Sequence, residues 1–297
     1  MIQRPPFLKK GDTIGLVAPA RKISREEIAV SLETFSAWGL QVKLGQHLFG
    51  ACNQFSATDQ QRASDFQSML DDASVNAVTS VRGGYGCMRI IDKLDFTCFV
   101  KHPKWIIGYS DVTVFHSHLQ QLGVETLHAT MPFNFEKDAE STENLRRALF
   151  GEKLEYAWDG TAYDKPGKAS GILVGGNLSL LNALVGSRSD METSGKILFL
   201  EDLDEYLYHL DRMMLCLKRS GKLEQIKALI IGGMTDMKDN TVPFGKNAAE
   251  IILDAVSGYD FPVCFNFPAG HTTKNYPLFL GREALLHSGE TNRFHFC

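Results

Sequence analysis

The sequence offers a hydroxyl, a carboxylate and an imidazole, each just beyond a short apolar run. Ser110 follows Trp105-Ile106-Ile107-Gly108-Tyr109 and precedes a stretch with Val112, Phe115 and Leu119 near helical spacing. The pattern predicts a buried strand, a sharp turn that Gly108 permits, and a helix. A serine on such a turn projects its hydroxyl into the open. Backbone N–H groups and the positive helix end then lie beside any anion formed there. That is the setting of a serine nucleophile, although a serine at a helix start also serves as a plain N-cap. Arg82-Gly83-Gly84-Tyr85-Gly86 closes another apolar run. It is neither G-x-G-x-x-G nor a phosphate loop. It is either a tight turn or part of an oxyanion hole, with one N–H from this loop and one from the residue after Ser110.

Glu201 follows Ile197-Leu198-Phe199-Leu200, where open α/β sheets place their sites. A carboxylate there can fix a histidine's tautomer and stabilise its charged form. Asp204 and Glu205, further out, read as a solvated loop. Among 9 histidines, His271 sits in a loop bounded by Pro268, Gly270 and Pro277, free to turn into a site or to remain on the surface. His116 and His118, two apart on a helix, face different ways and make a poor metal pair. We expect no catalytic metal and no cofactor. The order serine, acid, histidine is one of those that build a hydrolytic triad. Val112 stands where G-x-S-x-G has its second glycine, so an ordinary α/β-hydrolase is excluded.

The elements that must position these residues are legible as alternating periods. Strands are expected over 13–18, 40–44, 75–81 and 105–107, with helices over 24–38, 58–70 and 88–94 between them. Ser24 with Glu27 reads as a capping box. This β-α alternation predicts a doubly wound, mostly parallel sheet. Apolar periodicity fades over 136–168 and resumes in a second block. That block has strands near 171–177, 196–200, 228–231 and 262–265, helices over 207–219 and 248–256, and a terminal hairpin. The expected organisation is an α/β N-terminal domain, 1–135, carrying the serine, a linker or crossover, 136–168, and a second α/β domain with its own sheet, 169–297, carrying the acid and the histidine.

The chain's 297 residues include 44% hydrophobic and 22% charged, enough to bury a large core. A formal net charge of -4 argues against phosphate-backbone binding, so no nucleic-acid partner is expected. Nothing is long enough to span a membrane. The apolar run after Lys9-Lys10 is too short for a signal peptide and reads as a buried strand. The 6 cysteines match no zinc spacing and read as reduced thiols in a cytoplasmic protein, with Cys98 and Cys264 in the core.

These motifs resemble the LD-carboxypeptidases, serine peptidases that trim murein tetrapeptides and share a superfamily with microcin C self-immunity proteins. The resemblance rests on Lys10-Gly11-Asp12 through Pro19, Arg82 to Gly86, Ile107-Gly108-Tyr109-Ser110-Asp111, Gly175-Gly176-Asn177, Leu200-Glu201-Asp202, Asp211-Arg212, and Gly270-His271 with Pro277. It implies that Ser110 is the nucleophile, Glu201 the acid and His271 the base. It also implies two domains with the site between them, a homodimer, and a muropeptide substrate. The expected reaction is hydrolysis of the L,D-bond between a diamino acid and terminal D-Ala. Asp111 and Gly84 would supply the oxyanion N–H groups, and Arg82 and Tyr85 are candidate substrate-binding residues. Around Pro132-Phe133-Asn134-Phe135 the chain departs from the family's pattern. Rival readings are an immunity-type hydrolase cleaving a peptidyl-nucleotide and a non-catalytic muropeptide-binding protein. A Rossmann-type oxidoreductase is disfavoured, because no glycine fingerprint follows Val17 or Val81.

Overall fold

The computed structural model describes residues 2–297. Its strands are β1 (Thr13–Val17), β2 (Gln41–Leu44), β3 (Val75–Ser80), β4 (Trp105–Gly108), β5 (Thr126–His128), β6 (Glu155–Asp159), β7 (Gly167–Asn177), β8 (Ile197–Leu203), β9 (Ala228–Thr235), β10 (Val263–Cys264), β11 (Leu278–Leu280), β12 (Glu283–Ser288) and β13 (Thr291–Phe296). The chain divides into two compact units, Met1–Lys153 with Tyr276–Phe279, and Leu154–Asn275 with Leu280–Cys297.

The first unit holds a sheet of order β11-β5-β4-β3-β1-β2. Pairing is parallel from β5 through β4, β3 and β1 to β2. Strands β3 and β4 are buried almost throughout, the run expected where helices cover both faces of a parallel sheet. Ser24 and Glu27 exchange the two capping-box bonds, at 3.3 and 2.8 Å. Thr58 and Gln61 do the same for the helix Asp59–Asp71, whose inner face carries Phe66, Met69 and Leu70.

The second unit's sheet, β10-β9-β8-β7-β12-β13-β6, is parallel from β10 to β7 and antiparallel from β7 through β12 and β13 to β6. Leu198, Leu200, Leu229 and Ile231 pack with Leu210, Met214 and Ile252 from the helices Leu207–Arg219 and Ala248–Val256. The α/β class and the two sheets agree with the sequence reading.

Four local expectations are corrected. The 136–168 stretch, expected as a linker or crossover with no element assigned, carries the helix Ala139–Leu149, β6 and the start of β7. That helix buries Ser141, Thr142 and Asn144 beside Leu145 and Leu149, so half its inner face is polar and few apolar residues mark it in the sequence. The helix expected over 88–94 is two 3-10 turns, Cys87–Arg89 and Ile91–Lys93, held by bonds spanning three residues. Cys98 is exposed on the short helix Thr97–Lys101, whereas Cys264 is buried on β10. Strand β8 runs on to Leu203, which places Glu201 inside the strand rather than past its end.

Candidate active site

In the first unit, β4 delivers the chain to Ser110, which opens a 3-10 turn, Ser110–Val112, continuing as the helix Thr113–Gln121. Ser110 sits at φ 62°, a left-handed conformation that costs a non-glycine residue of order 1 kcal/mol or more. The turn is held from three sides. The Gly108 carbonyl accepts from the Ala129 N–H at 3.1 Å. It accepts also from His116 Nε2 at 2.8 Å. His116 is fully buried, and burial drives its pKa down to about 3, so the neutral ring donates through Nε2. On the far side, the buried Asp111 carboxylate accepts from the Cys87 N–H at 2.7 Å. Asp111 therefore ties the serine turn to the end of the glycine-rich loop.

That loop reaches the serine through Gly83. A Cβ there would lie 3.0 Å from Ser110 Cβ and 3.1 Å from Oγ, so the close approach requires glycine. The buried Arg62 donates to the carbonyls of Pro19, Ala57 and Gly86 and clamps the loop's far end. Of the candidate substrate-binding residues, Arg82 ion-pairs with Glu27 at 3.4 Å and lies 4.4 Å over the Phe133 ring. Tyr85 is 45% exposed, with its ring 6.1 Å from that of Phe55.

In the second unit, His271 Nδ1 lies 2.7 Å from Glu201 Oε2, and the His271 backbone N–H donates to the same oxygen at 3.1 Å. Glu201 is fully buried. The intervening Gly270 sits at φ 98°, and a Cβ there would come within 2.6 Å of the Glu201 side chain. Glycine is thus required for the loop to lie over the carboxylate. The Thr235 hydroxyl donates to the His271 carbonyl at 2.8 Å, and the Gly270 N–H donates to Asn275 Oδ1 at 2.9 Å, fixing the loop on both flanks. Burial alone would lower the His271 pKa. The charge and hydrogen bond of Glu201, with the charge of Asp202, outweigh it and raise the pKa above the ordinary value.

Asp202 was not singled out in the sequence. It is buried, and its carboxylate accepts from Asn177 Nδ2 at 3.0 Å, the Ser179 N–H at 2.9 Å and the Leu203 N–H at 2.9 Å. Burial first, and the Glu201 charge second, push its pKa up to about 7. The signal was present in the doublet Glu201-Asp202 and in Asn177, the N-cap of Leu178–Leu184, but one chain gives no reason to prefer Asp202 over Asp204. Asp204 pairs with Lys238 at 2.6 Å and Glu205 with His209 at 2.5 Å, away from His271.

Among the described residues no group of three or more His, Cys, Asp and Glu side chains is placed to hold a metal. None of the helices there is long and apolar enough to cross a membrane.

Comparison with known proteins gives two family matches. The LD-carboxypeptidase N-terminal domain matches residues 14–129 and the LD-carboxypeptidase C-terminal domain residues 170–286. A probable murein peptide carboxypeptidase of Bacillus subtilis is 33% identical over 97% of this chain and 92% of that protein. The crystal structure of a muramoyltetrapeptide carboxypeptidase from Oxalobacter formigenes has a TM-score of 0.88 at 26% identity, covering 96% of this chain and 98% of its own. The microcin C7 self immunity protein in complex with aspartyl sulfamoyl adenosine shares the fold, with a TM-score of 0.88 at 21% identity over 100% of this chain and 98% of its own.

Proposed function

The chain belongs to the LD-carboxypeptidase family, a family of peptidases, and we propose that it is a serine carboxypeptidase removing terminal D-Ala from murein tetrapeptides during cell-wall recycling in the cytoplasm. The observation that carries this reading is the His271–Glu201 pair, an imidazole oriented by a buried carboxylate 2.7 Å away. An imidazole held in this way can take a proton from a hydroxyl. The strained turn at Ser110 supports the serine as that hydroxyl, since strain of this kind collects at reacting groups. The chain also rejoins the first unit at Tyr276, five residues after His271.

In the proposed reaction Ser110 Oγ attacks the carbonyl carbon between the diamino acid and D-Ala. His271 Nε2 takes the hydroxyl proton, and Glu201 holds the Nδ1–H tautomer and stabilises the imidazolium. The N–H groups of Asp111 and Gly84 receive the oxyanion, worth ~3 kcal/mol each in comparable sites. Collapse expels D-Ala, its nitrogen taking the proton from His271. A water, deprotonated by the same imidazole, then hydrolyses the acyl-Ser110 ester and frees the tripeptide.

The test is mass-spectrometric analysis of products from a panel of L,D-tetrapeptide, tripeptide and acyl-sulfamoyl-adenylate. Tripeptide and D-Ala from the tetrapeptide alone support the proposal. Cleavage of the adenylate alone would move the chain to the immunity-type activity. Tight binding of the tetrapeptide with no product over long incubation would make it a binding protein.

A further inference from the structure

A carboxypeptidase differs from other serine peptidases in binding a free carboxylate one residue beyond the scissile carbonyl. The carbonyl carbon and the carboxylate carbon of a terminal residue are joined by three bonds, no more than about 4.3 Å of chain. The cation that reads the carboxylate therefore belongs about one residue's length from the nucleophile.

The glycine-rich loop supplies that spacing within the first unit. Gly83 abuts Ser110. At Gly84, one Cα step or about 3.8 Å further on, a Cβ would strike Arg21, 2.6 Å from Cγ and Cδ and 3.1 Å from Nε. The Arg21 side chain thus lies flat over Gly84, and φ 115° at Gly84 keeps that position to glycine. The Arg21 backbone N–H donates to the Gly83 carbonyl at 3.4 Å, so arginine and loop move together.

The other arginines around the loop are engaged elsewhere. Arg62 is buried against carbonyls and Asp59. Arg89 pairs with Asp59 at 2.7 Å. Arg82 holds Glu27 and covers Phe133. Arg21 is exposed, and among the described residues its guanidinium has no acceptor or carboxylate partner. A planar guanidinium with two parallel donors matches a carboxylate.

The geometry points to Arg21, rather than Arg82, as the residue that binds the substrate's terminal carboxylate and makes the enzyme an exopeptidase. The inference rests on the peptidase reading above and names the specificity group of that site.

The experiment compares kcat/KM on two substrates, the L,D-tetrapeptide ending in D-Ala and the same peptide ending in D-alaninamide. Wild type is expected to prefer the free acid by about 100-fold, the scale on which an unmatched charged hydrogen-bond partner discriminates. R21Q is expected to lose about that factor on the acid and little on the amide, bringing the ratio near one. R21K restores part of it through charge without the fork. R82Q keeps the wild-type ratio. An R21Q protein that cleaves the acid with the wild-type preference overturns the inference and leaves the peptidase standing, as does an R82Q protein in which the preference collapses instead. A wild-type protein that cleaves the terminal residue from neither substrate overturns both.

Discussion

His271 Nδ1 and the His271 backbone N–H converge on one oxygen of Glu201, at 2.7 and 3.1 Å. Two donors from a single residue on one buried carboxylate oxygen leave the ring little freedom to rotate, and they fix which nitrogen carries the proton. Because the carboxylate cannot draw on water, its charge acts on the imidazole at close to full strength.

The first prediction follows from that pair. Burial lowers the His271 pKa while the Glu201 charge and bond raise it, with a net rise. A base works when neutral, so kcat/KM should climb with pH through a limb displaced above the usual histidine range. In E201Q the burial remains and the charge is gone, so the His271 pKa should fall below the wild-type value. NMR titration of the ring checks this, and an unchanged titration would contradict it. The rate should fall by roughly 10⁴-fold, the scale of losing the working tautomer.

The second concerns strain at the turn. Ser110 adopts φ 62°, which alanine tolerates no better than serine and glycine tolerates freely. S110A and S110G should both fold and both lack turnover. S110G should be the more stable of the two by about 1 kcal/mol, after allowing for glycine's larger unfolded-state entropy. Chemical denaturation of the two variants reads the difference. Equal stabilities would mean that the turn is not strained.

The third concerns Asp202, whose pKa is pushed from 3.8 up to about 7. A folded-state pKa above the unfolded one contributes stability fully present below about pH 4 and lost as pH rises through 7. His271, also raised, acts in the same direction across a higher window. Thermal midpoints of wild type should therefore fall between pH 5 and 8, and the fall should be shallower in D202N, which keeps only the His271 part. Parallel pH profiles for the two proteins would refute the burial argument.

Much of this site was legible because its parts are local. The run from Trp105 to Leu119 announces a strand, a turn and a helix by spacing alone, and the Glu201 run and the loop around His271 are similarly compact. What escaped depends on residues far apart in sequence. Arg21 and Gly84 are separated by 62 intervening residues, and nothing in either stretch signals that one side chain covers the other's Cα. The first sheet takes β11 from Leu278–Leu280, three residues too short to carry a period. Asp202 owes its raised pKa first to burial and then to the Glu201 charge, against the hydrogen bond of Asn177 that lowers it, and that burial is not visible from the doublet alone. The helix Ala139–Leu149 carries few apolar residues, because half of what it buries is Ser141, Thr142 and Asn144.

If an imidazole oriented by Glu201 activates Ser110, the rate at which a fluorophosphonate reagent labels the protein, followed by intact mass and mapped by peptide, depends on both side chains. Wild type should give a single fast adduct on Ser110, S110A none there, and H271A labelling slowed by at least about 100-fold, the scale of general-base assistance. An H271A protein that labels Ser110 as fast as wild type, or a wild-type adduct on another residue, would contradict that activation.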